Sequence, residues 1–186
     1  MTKKNLAVFC DRDGVINREV DNLHDVADLE ILPKVAPAIK LLNNKGIPLI
    51  VVTNQPVVAR GWLTENGVEK IHQEIKKRLK KDDAVVDEIY YCPHHPDANL
   101  KKYRVKCQCR KPNVQLFEKA AQDFGINLKK SFVIGDSFRD IEAGKNIQAT
   151  TIFVKSGTGD LRDSKPDFVT GDLYSAIKLI LEKEDK

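Results

Sequence analysis

A chain of 186 residues, 41% hydrophobic and 31% charged, has the make-up of one globular domain, residues 1–186, able to bury a core without help. Its 31 basic and 27 acidic residues leave a net charge of +4, a mild excess that suits a small anionic partner and, with no clustered basic stripe, argues against nucleic acid. No stretch approaches the roughly 18 uncharged apolar residues that span a bilayer, and the short apolar run after Met-Thr-Lys-Lys-Asn is too brief for a secretory signal, so a cytoplasmic protein with no membrane contact is expected.

Residues 6–10, Leu-Ala-Val-Phe-Cys, run straight into Asp11-Arg12-Asp13-Gly14. A short apolar run of this kind predicts a strand covered on both faces, with Cys10 as a small core residue. In extended chain alternate side chains share a side, so Asp11 and Asp13 would project together from the carboxyl end, where open α/β sheets hold ligands. Two carboxylates so close repel each other, and a shared cation or proton would relieve them. The plainer reading is an Asx-Gly turn.

Residues 18–32 are polar and too few for a cap domain; they are expected to close over the edge of the site. From Pro33 to Asn44, Val35, Ile39 and Leu42 recur at helical spacing, with Gly46 past the end. Ile47–Val52 is a β-branched run that ends in Thr53-Asn54-Gln55, repeating the pattern of the first strand. Thr64 opens a capping pattern before a long amphipathic helix marked by Val68, Ile71, Ile75 and Leu79. The basic run 76–81 reads as its solvated end.

Val85–Cys92 predicts a third strand, after which periodicity fails for about twenty residues, as far as Pro112; in a compact domain such a stretch is functional or misread. Helices at 112–124, 138–146 and 172–182 and strands at 131–134, 150–154 and 168–169 complete the chain. Strands alternating with helices predict an α/β fold, a doubly wound, mainly parallel sheet of Rossmann-like type with right-handed crossovers.

On that sheet, four strand ends or loops carry polar groups to one edge: Asp11 with Asp13, Thr53 with Asn54, Arg110 with Lys111, and Asp136 with Asp140. Acidic groups from two strand ends suit Mg²⁺, and a hydroxyl, an amide and a lysine beside it suit a phosphoryl group. Three of the four cysteines, Cys92, Cys107 and Cys109, fall in the irregular stretch with His94 among them. In a cytoplasmic chain that clustering favours metal over disulfide, and Cys₃His makes a closed tetrahedron for Zn²⁺. Free thiols in a mobile loop are the other reading. His95 reads as a surface or substrate-facing residue rather than a ligand.

The series Asp-x-Asp-Gly-Val, Thr-Asn, Lys and Gly-Asp-Ser with Asp140 resembles, in that order, the four motifs of the haloacid dehalogenase-like phosphatases, over nearly the whole chain. Within them, Asp-Arg-Asp-Gly-Val-Ile-Asn, Thr-Asn-Gln followed by Ala-Arg-Gly, and Cys-Pro-His-His-Pro before Cys-x-Cys-Arg-Lys-Pro resemble the D-glycero-D-manno-heptose 1,7-bisphosphate 7-phosphatases and the related histidinol-phosphate phosphatases. The resemblance implies a Mg²⁺-dependent phosphomonoesterase acting through an aspartyl-phosphate. Asp11 would be the nucleophile, and Asp13 the general acid and then base, with a pKa raised by its neighbour. Thr53 and Asn54 would hold phosphate oxygens, and Lys111 would neutralise the phosphoryl group. Asp136 would complete the Mg²⁺ site with Asp11 and the backbone carbonyl of Asp13, with Asp140 behind them.

The resemblance also implies Zn²⁺ on Cys92, His94, Cys107 and Cys109, ordering loop 92–109 in place of a large cap and fixing Arg110 and Lys111. Arg110 and Arg60 would then meet a second anionic group, because guanidinium binds phosphate bidentately. That favours a sugar bisphosphate, cut at its 7-phosphate, over histidinol phosphate; a silent phosphosugar-binding module is the rival of another class, and a monomer is expected. Two departures stand out. Pro56-Val57 replaces the Ser-Gly frequent in such chains and removes a backbone donor, and Ser137 stands where some members carry lysine.

Overall fold

The computed structural model describes residues 5–184. Six strands, β1 (Val8–Cys10), β2 (Leu49–Asn54), β3 (Glu88–Cys92), β4 (Phe132–Gly135), β5 (Thr150–Val154) and β6 (Phe168–Thr170), form one sheet ordered β3-β2-β1-β4-β5-β6. Every neighbouring pair is parallel. Five α-helices lie between them, α1 (Val35–Asn44), α2 (Val57–Arg60), α3 (Glu65–Lys80), α4 (Gln115–Phe124) and α5 (Phe138–Asn146), and α6 (Leu173–Glu184) follows β6. Among the described residues no helix is long and apolar enough to cross a membrane.

The two faces of the sheet are covered because its strands are apolar on both sides. Val8 and Cys10 point into one core with α1, α6 and the Ile71-Ile75-Leu79 stripe of α3. Ala7 and Phe9 point into the other, against α4 and α5, where the rings of Phe9 and Phe117 meet edge to face at 5.2 Å. This two-sided burial is why the strand sequences are continuous apolar runs rather than alternating ones. Thr64 caps α3 as expected, its hydroxyl accepting from the Gly67 N–H at 3.1 Å.

The chain builds β1, β2 and β3 outward, then returns to place β4 on the other side of β1. The order of strands therefore reverses beside β1, which opens a crevice at its carboxyl end. Cys10 pairs with Val51 and Ile134, so Asp11 leaves the sheet between the ends of β2 and β4.

Some elements differ from expectation. The third strand pairs only from Glu88, because Asp87 turns its carboxylate back to the Leu49 N–H, 2.9 Å away. Helix α2 was not expected; four residues are too few for a period to show. The segment 18–32 is less polar in effect than in composition: Leu23 and Leu29 are buried, and its ends are zipped together by Arg18 N–H to Glu30 carbonyl (2.9 Å) and Leu32 N–H to Ile16 carbonyl (3.0 Å).

Ser131 joins the centre of the sheet to the loop before β4. Its fully buried hydroxyl accepts the Ala7 N–H at 3.1 Å and donates to the Asn127 carbonyl at 2.9 Å. Ser131→Ala leaves a buried N–H without a partner and should lower unfolding free energy by about 1–3 kcal/mol. Urea titration should show a lower midpoint with an unchanged slope; a parent-like midpoint would mean that the Ala7 N–H finds another acceptor.

Candidate active site

A cavity of about 610 Å³ opens at the carboxyl edge of β1, β2 and β4, and its floor is made by Asp11, Thr53, Lys111 and Asp136. Lys111 is buried, and its ammonium donates to Asp11 Oδ1 at 2.9 Å, Asp140 Oδ1 at 2.5 Å and the Val52 carbonyl at 2.7 Å. All three of its N–H donors are thus engaged. Burial alone would lower its pKa; the two carboxylates reverse the sign and raise it. Asp140 is held in turn by the capping box of α5, accepting from the Ser137 hydroxyl at 2.6 Å and the Ser137 N–H at 3.2 Å.

Asp11 also accepts the Arg12 N–H at 2.7 Å. Its pKa is pushed up to about 7, first by burial and then by Asp140, Asp136 and Asp13, against the pull of Lys111. Carboxylate oxygens of Asp11, Asp136 and Asp140 lie within 4.8 Å of one another. Buried acids that one lysine does not fully neutralise fit a hard divalent cation. Asp136 is placed by close backbone approach: its Oδ2 accepts the Gly159 N–H at 3.0 Å, and a Cβ on Gly157 would fall 1.9 Å from that oxygen.

Asp13 behaves differently from the expectation. Its carboxylate lies outside the acid cluster and accepts Arg12 Nη2 at 2.8 and 2.9 Å, Arg12 Nε at 3.2 Å, Asn17 Nδ2 at 2.8 Å and Gln55 Nε2 at 2.9 Å. Burial would raise its pKa, but the Arg12 guanidinium and these hydrogen bonds hold it below the usual carboxylate range. The raised pKa belongs to Asp11 rather than to Asp13, because the Arg12 guanidinium lies against the Asp13 carboxylate.

Thr53 lies on the cavity floor, its hydroxyl accepting Gln55 Nε2 at 2.9 Å, so Gln55 ties the threonine to Asp13. Asn54 also lines the cavity, but both ends of its amide grip the Lys111 backbone: Oδ1 accepts the Lys111 N–H at 3.0 Å and Nδ2 donates to its carbonyl at 3.2 Å. Its first task is to hold the lysine, and a contact to phosphate would use its second N–H. Pro56 opens α2 with φ −70°, a conformation natural to its ring.

Three arginines face the cavity, Arg60, Arg110 and Arg139, with His95 among them. Burial and the charges of Arg139 and Arg60 push the Arg110 pKa down, whereas the nearby cysteine sulfurs push it up. Its Nη1 donates to the His94 carbonyl at 3.1 Å, which pins it to the cysteine loop. Arg139 escaped the sequence reading; its position in the first turn of the helix after Gly135-Asp136-Ser137 was the available signal.

Cys92, His94, Cys107 and Cys109 converge, with their sulfur and Nδ1 atoms 3.0 to 3.7 Å apart. A zinc tetrahedron with N and S ligands has edges of about 3.5–3.8 Å, so this donor set fits the ion after a slight outward shift. Cys10 is buried in the core, as expected.

An aspartate at the end of the first strand, a lysine shared between two aspartates and an acid cluster in the next βα loop, all on a parallel sheet, are the arrangement of a haloacid dehalogenase-like hydrolase. A family model described as HAD-hydrolase-like matches residues 108–176. The chain is 33% identical to the D-glycero-alpha-D-manno-heptose-1,7-bisphosphate 7-phosphatase of Photorhabdus laumondii, over 92% of this chain and 94% of that one. It is 34% identical to the beta-heptose counterpart of Haemophilus ducreyi, over 94% and 97%. A crystal structure of the D,D-heptose 1,7-bisphosphate phosphatase from B. bronchiseptica, complexed with magnesium and phosphate, superposes with a TM-score of 0.84 at 28% identity, covering 96% of this chain and 99% of that one. The chain belongs to the heptose-1,7-bisphosphate 7-phosphatase family of these hydrolases.

Gly157→Ala should displace Asp136 without adding or removing a charge. Its Mg²⁺ requirement should rise on the order of tenfold, the scale on which groups behind a metal ligand act. A Mg²⁺ titration that overlays the parent's would remove Asp136 from the proposed metal site.

Proposed function

We propose that this protein removes the 7-phosphate of a D-glycero-D-manno-heptose 1,7-bisphosphate through an aspartyl-phosphate on Asp11. The observation that carries the substrate is the trio Arg60, Arg110 and Arg139 around the same cavity as Asp11 and Lys111. One phosphate would sit against Asp11, Thr53 and Lys111, and guanidinium groups would meet the other. The names of the relatives agree with that reading. Histidinol phosphate brings an amine where these arginines stand, and like charges repel. Asp11, Asp13 and Lys111 together argue against a silent binding module.

In this scheme an Asp11 carboxylate oxygen attacks phosphorus, the bond to the sugar oxygen breaks, and Asp13 gives that oxygen its proton. Asp13 then takes a proton from the water that hydrolyses the aspartyl-phosphate. As a carboxylate braced by Arg12 and Gln55, it is ready for the second step; the incoming phosphate dianion would raise its pKa and favour protonation for the first. Asp11, Asp136 and the Asp13 backbone carbonyl would hold Mg²⁺, which would offset phosphoryl charge and keep Asp11 ionised despite its raised pKa. Lys111 holds Asp11 in line throughout.

The discriminating measurement is kcat/KM for heptose bisphosphate and histidinol phosphate side by side. We expect the bisphosphate to be favoured, Arg110→Ala to lose on the order of tenfold or more on it, and Asp11→Asn to be inactive with its fold intact. Preference for histidinol phosphate, or a parent-like Arg110→Ala, would overturn the substrate; turnover by Asp11→Asn would overturn the mechanism.

We also propose that Cys92, His94, Cys107 and Cys109 bind one structural Zn²⁺. An irregular loop of this length has little core, and structural zinc contributes on the order of 10 kcal/mol to folding in small zinc peptides. Elemental analysis should find about one zinc per chain. Cys107→Ser should lower both zinc content and melting temperature, while turnover of the parent still needs added Mg²⁺. Zinc-free protein from zinc-replete, reducing preparation would return these residues to free thiols.

A further inference from the structure

The largest fully buried side chain is that of Arg12, the residue between the two aspartates. Its Nε and Nη2 are turned onto Asp13, and its Nη1 lies 3.3 Å from His72 Nε2. A guanidinium in a protein only donates, so His72 Nε2 must present its lone pair and the ring proton must be on Nδ1. That Nδ1 is buried and has no hydrogen-bond partner. Burial and the Arg12 charge, against the pull of Asp13, push the His72 pKa down to about 3, which agrees with a neutral ring.

His72 sits on the inward face of α3 with Val68, Ile71 and Ile75, edge-on to the Tyr91 ring at 5.4 Å. For packing alone an apolar side chain would serve better there, since it would leave no polar atom without a partner. What an apolar residue cannot do is accept from Arg12. Asp13 and Arg12 are neighbours in one loop, whereas His72 belongs to a 16-residue helix outside that loop. It therefore ties the guanidinium to a rigid element.

We propose that His72 is a positioning residue for Asp13: its Nε2 lone pair fixes Arg12 Nη1, and so orients the guanidinium that holds the Asp13 carboxylate at the cavity. This rests on the reading of Asp13 as the acid and base of a phosphomonoesterase. The group His72 serves acts on the leaving oxygen, so its influence should depend on how much that oxygen needs a proton.

The test compares parent, His72→Leu and His72→Gln in Mg²⁺ on an alkyl phosphomonoester and on p-nitrophenyl phosphate, whose leaving group departs without a proton. General acid catalysis contributes about 10²–10⁴-fold, and mispositioning should forfeit part of it. His72→Leu should lose roughly tenfold or more in kcat on the alkyl ester, with KM little changed, and no more than about threefold on the aryl ester. His72→Gln, whose amide oxygen accepts as Nε2 does, should recover most of the loss. Melting temperatures are read alongside, and ¹⁵N spectra of the parent should show the His72 proton on Nδ1. Equal losses on both esters, losses that follow melting temperature, a parent-like His72→Leu or a proton on Nε2 would each overturn the inference. A parent that hydrolyses neither ester nor the heptose bisphosphate would instead overturn the phosphatase reading, and the tautomer measurement, which needs no turnover, would still decide whether His72 accepts from Arg12.

Discussion

Everything in the site leans on one buried ammonium. Lys111 satisfies its three N–H groups on Asp11, Asp140 and the Val52 carbonyl, and so stitches the end of β1 to β2 and to the first turn of α5. Without it, the buried Asp140 carboxylate and the half-buried Asp11 carboxylate would face each other with no cation between them, an arrangement costly away from water. The surrounding structure reads as support for that nitrogen. Asn54 clamps the lysine backbone from β2, Ser137 orients Asp140, and the cysteine-histidine cluster ends two residues before the lysine.

A second, parallel arrangement holds Asp13. Here the cation is Arg12, planar and forked, so it fixes the direction of a carboxylate as well as its charge. The two aspartates are separated by a single residue but live in different electrostatic settings. Asp11 is crowded by acids and drawn toward protonation; Asp13 is surrounded by donors and held ionised. Environments that push two carboxyl groups apart in pKa are how one site assigns them separate tasks.

The architecture was legible because the central strands are apolar runs followed at once by polar residues, and the α1, α3 and α4 stripes keep a helical period. The site's location followed from the topology, since strand ends of a parallel sheet gather at one edge. What escaped were contacts made by rotation of a side chain or by residues far apart in the chain. Nothing in Asp-Arg-Asp reveals that Arg12 folds back on Asp13 rather than reaching solvent, and His72 reads as one more residue of an amphipathic helix. Asn54 was visible as a candidate phosphate ligand, while its hold on the Lys111 backbone, 57 residues away, was not. Helix α2 was hidden by its shortness, and Arg139 by its place on a helix whose outer face looked ordinary.

The arginine-lined mouth has a consequence for behaviour in solution. Arg60, Arg110 and Arg139 converge on one cavity, so multivalent anions of many kinds will be drawn there before any shape is read. Salt screens such a field over roughly 8 Å at physiological ionic strength, so its reach beyond the cavity mouth shrinks as salt is added. Capture should therefore be sensitive to the ionic medium in a way the chemistry proposed for Asp11 is not, and free phosphate, once released, should compete for the place it has just left.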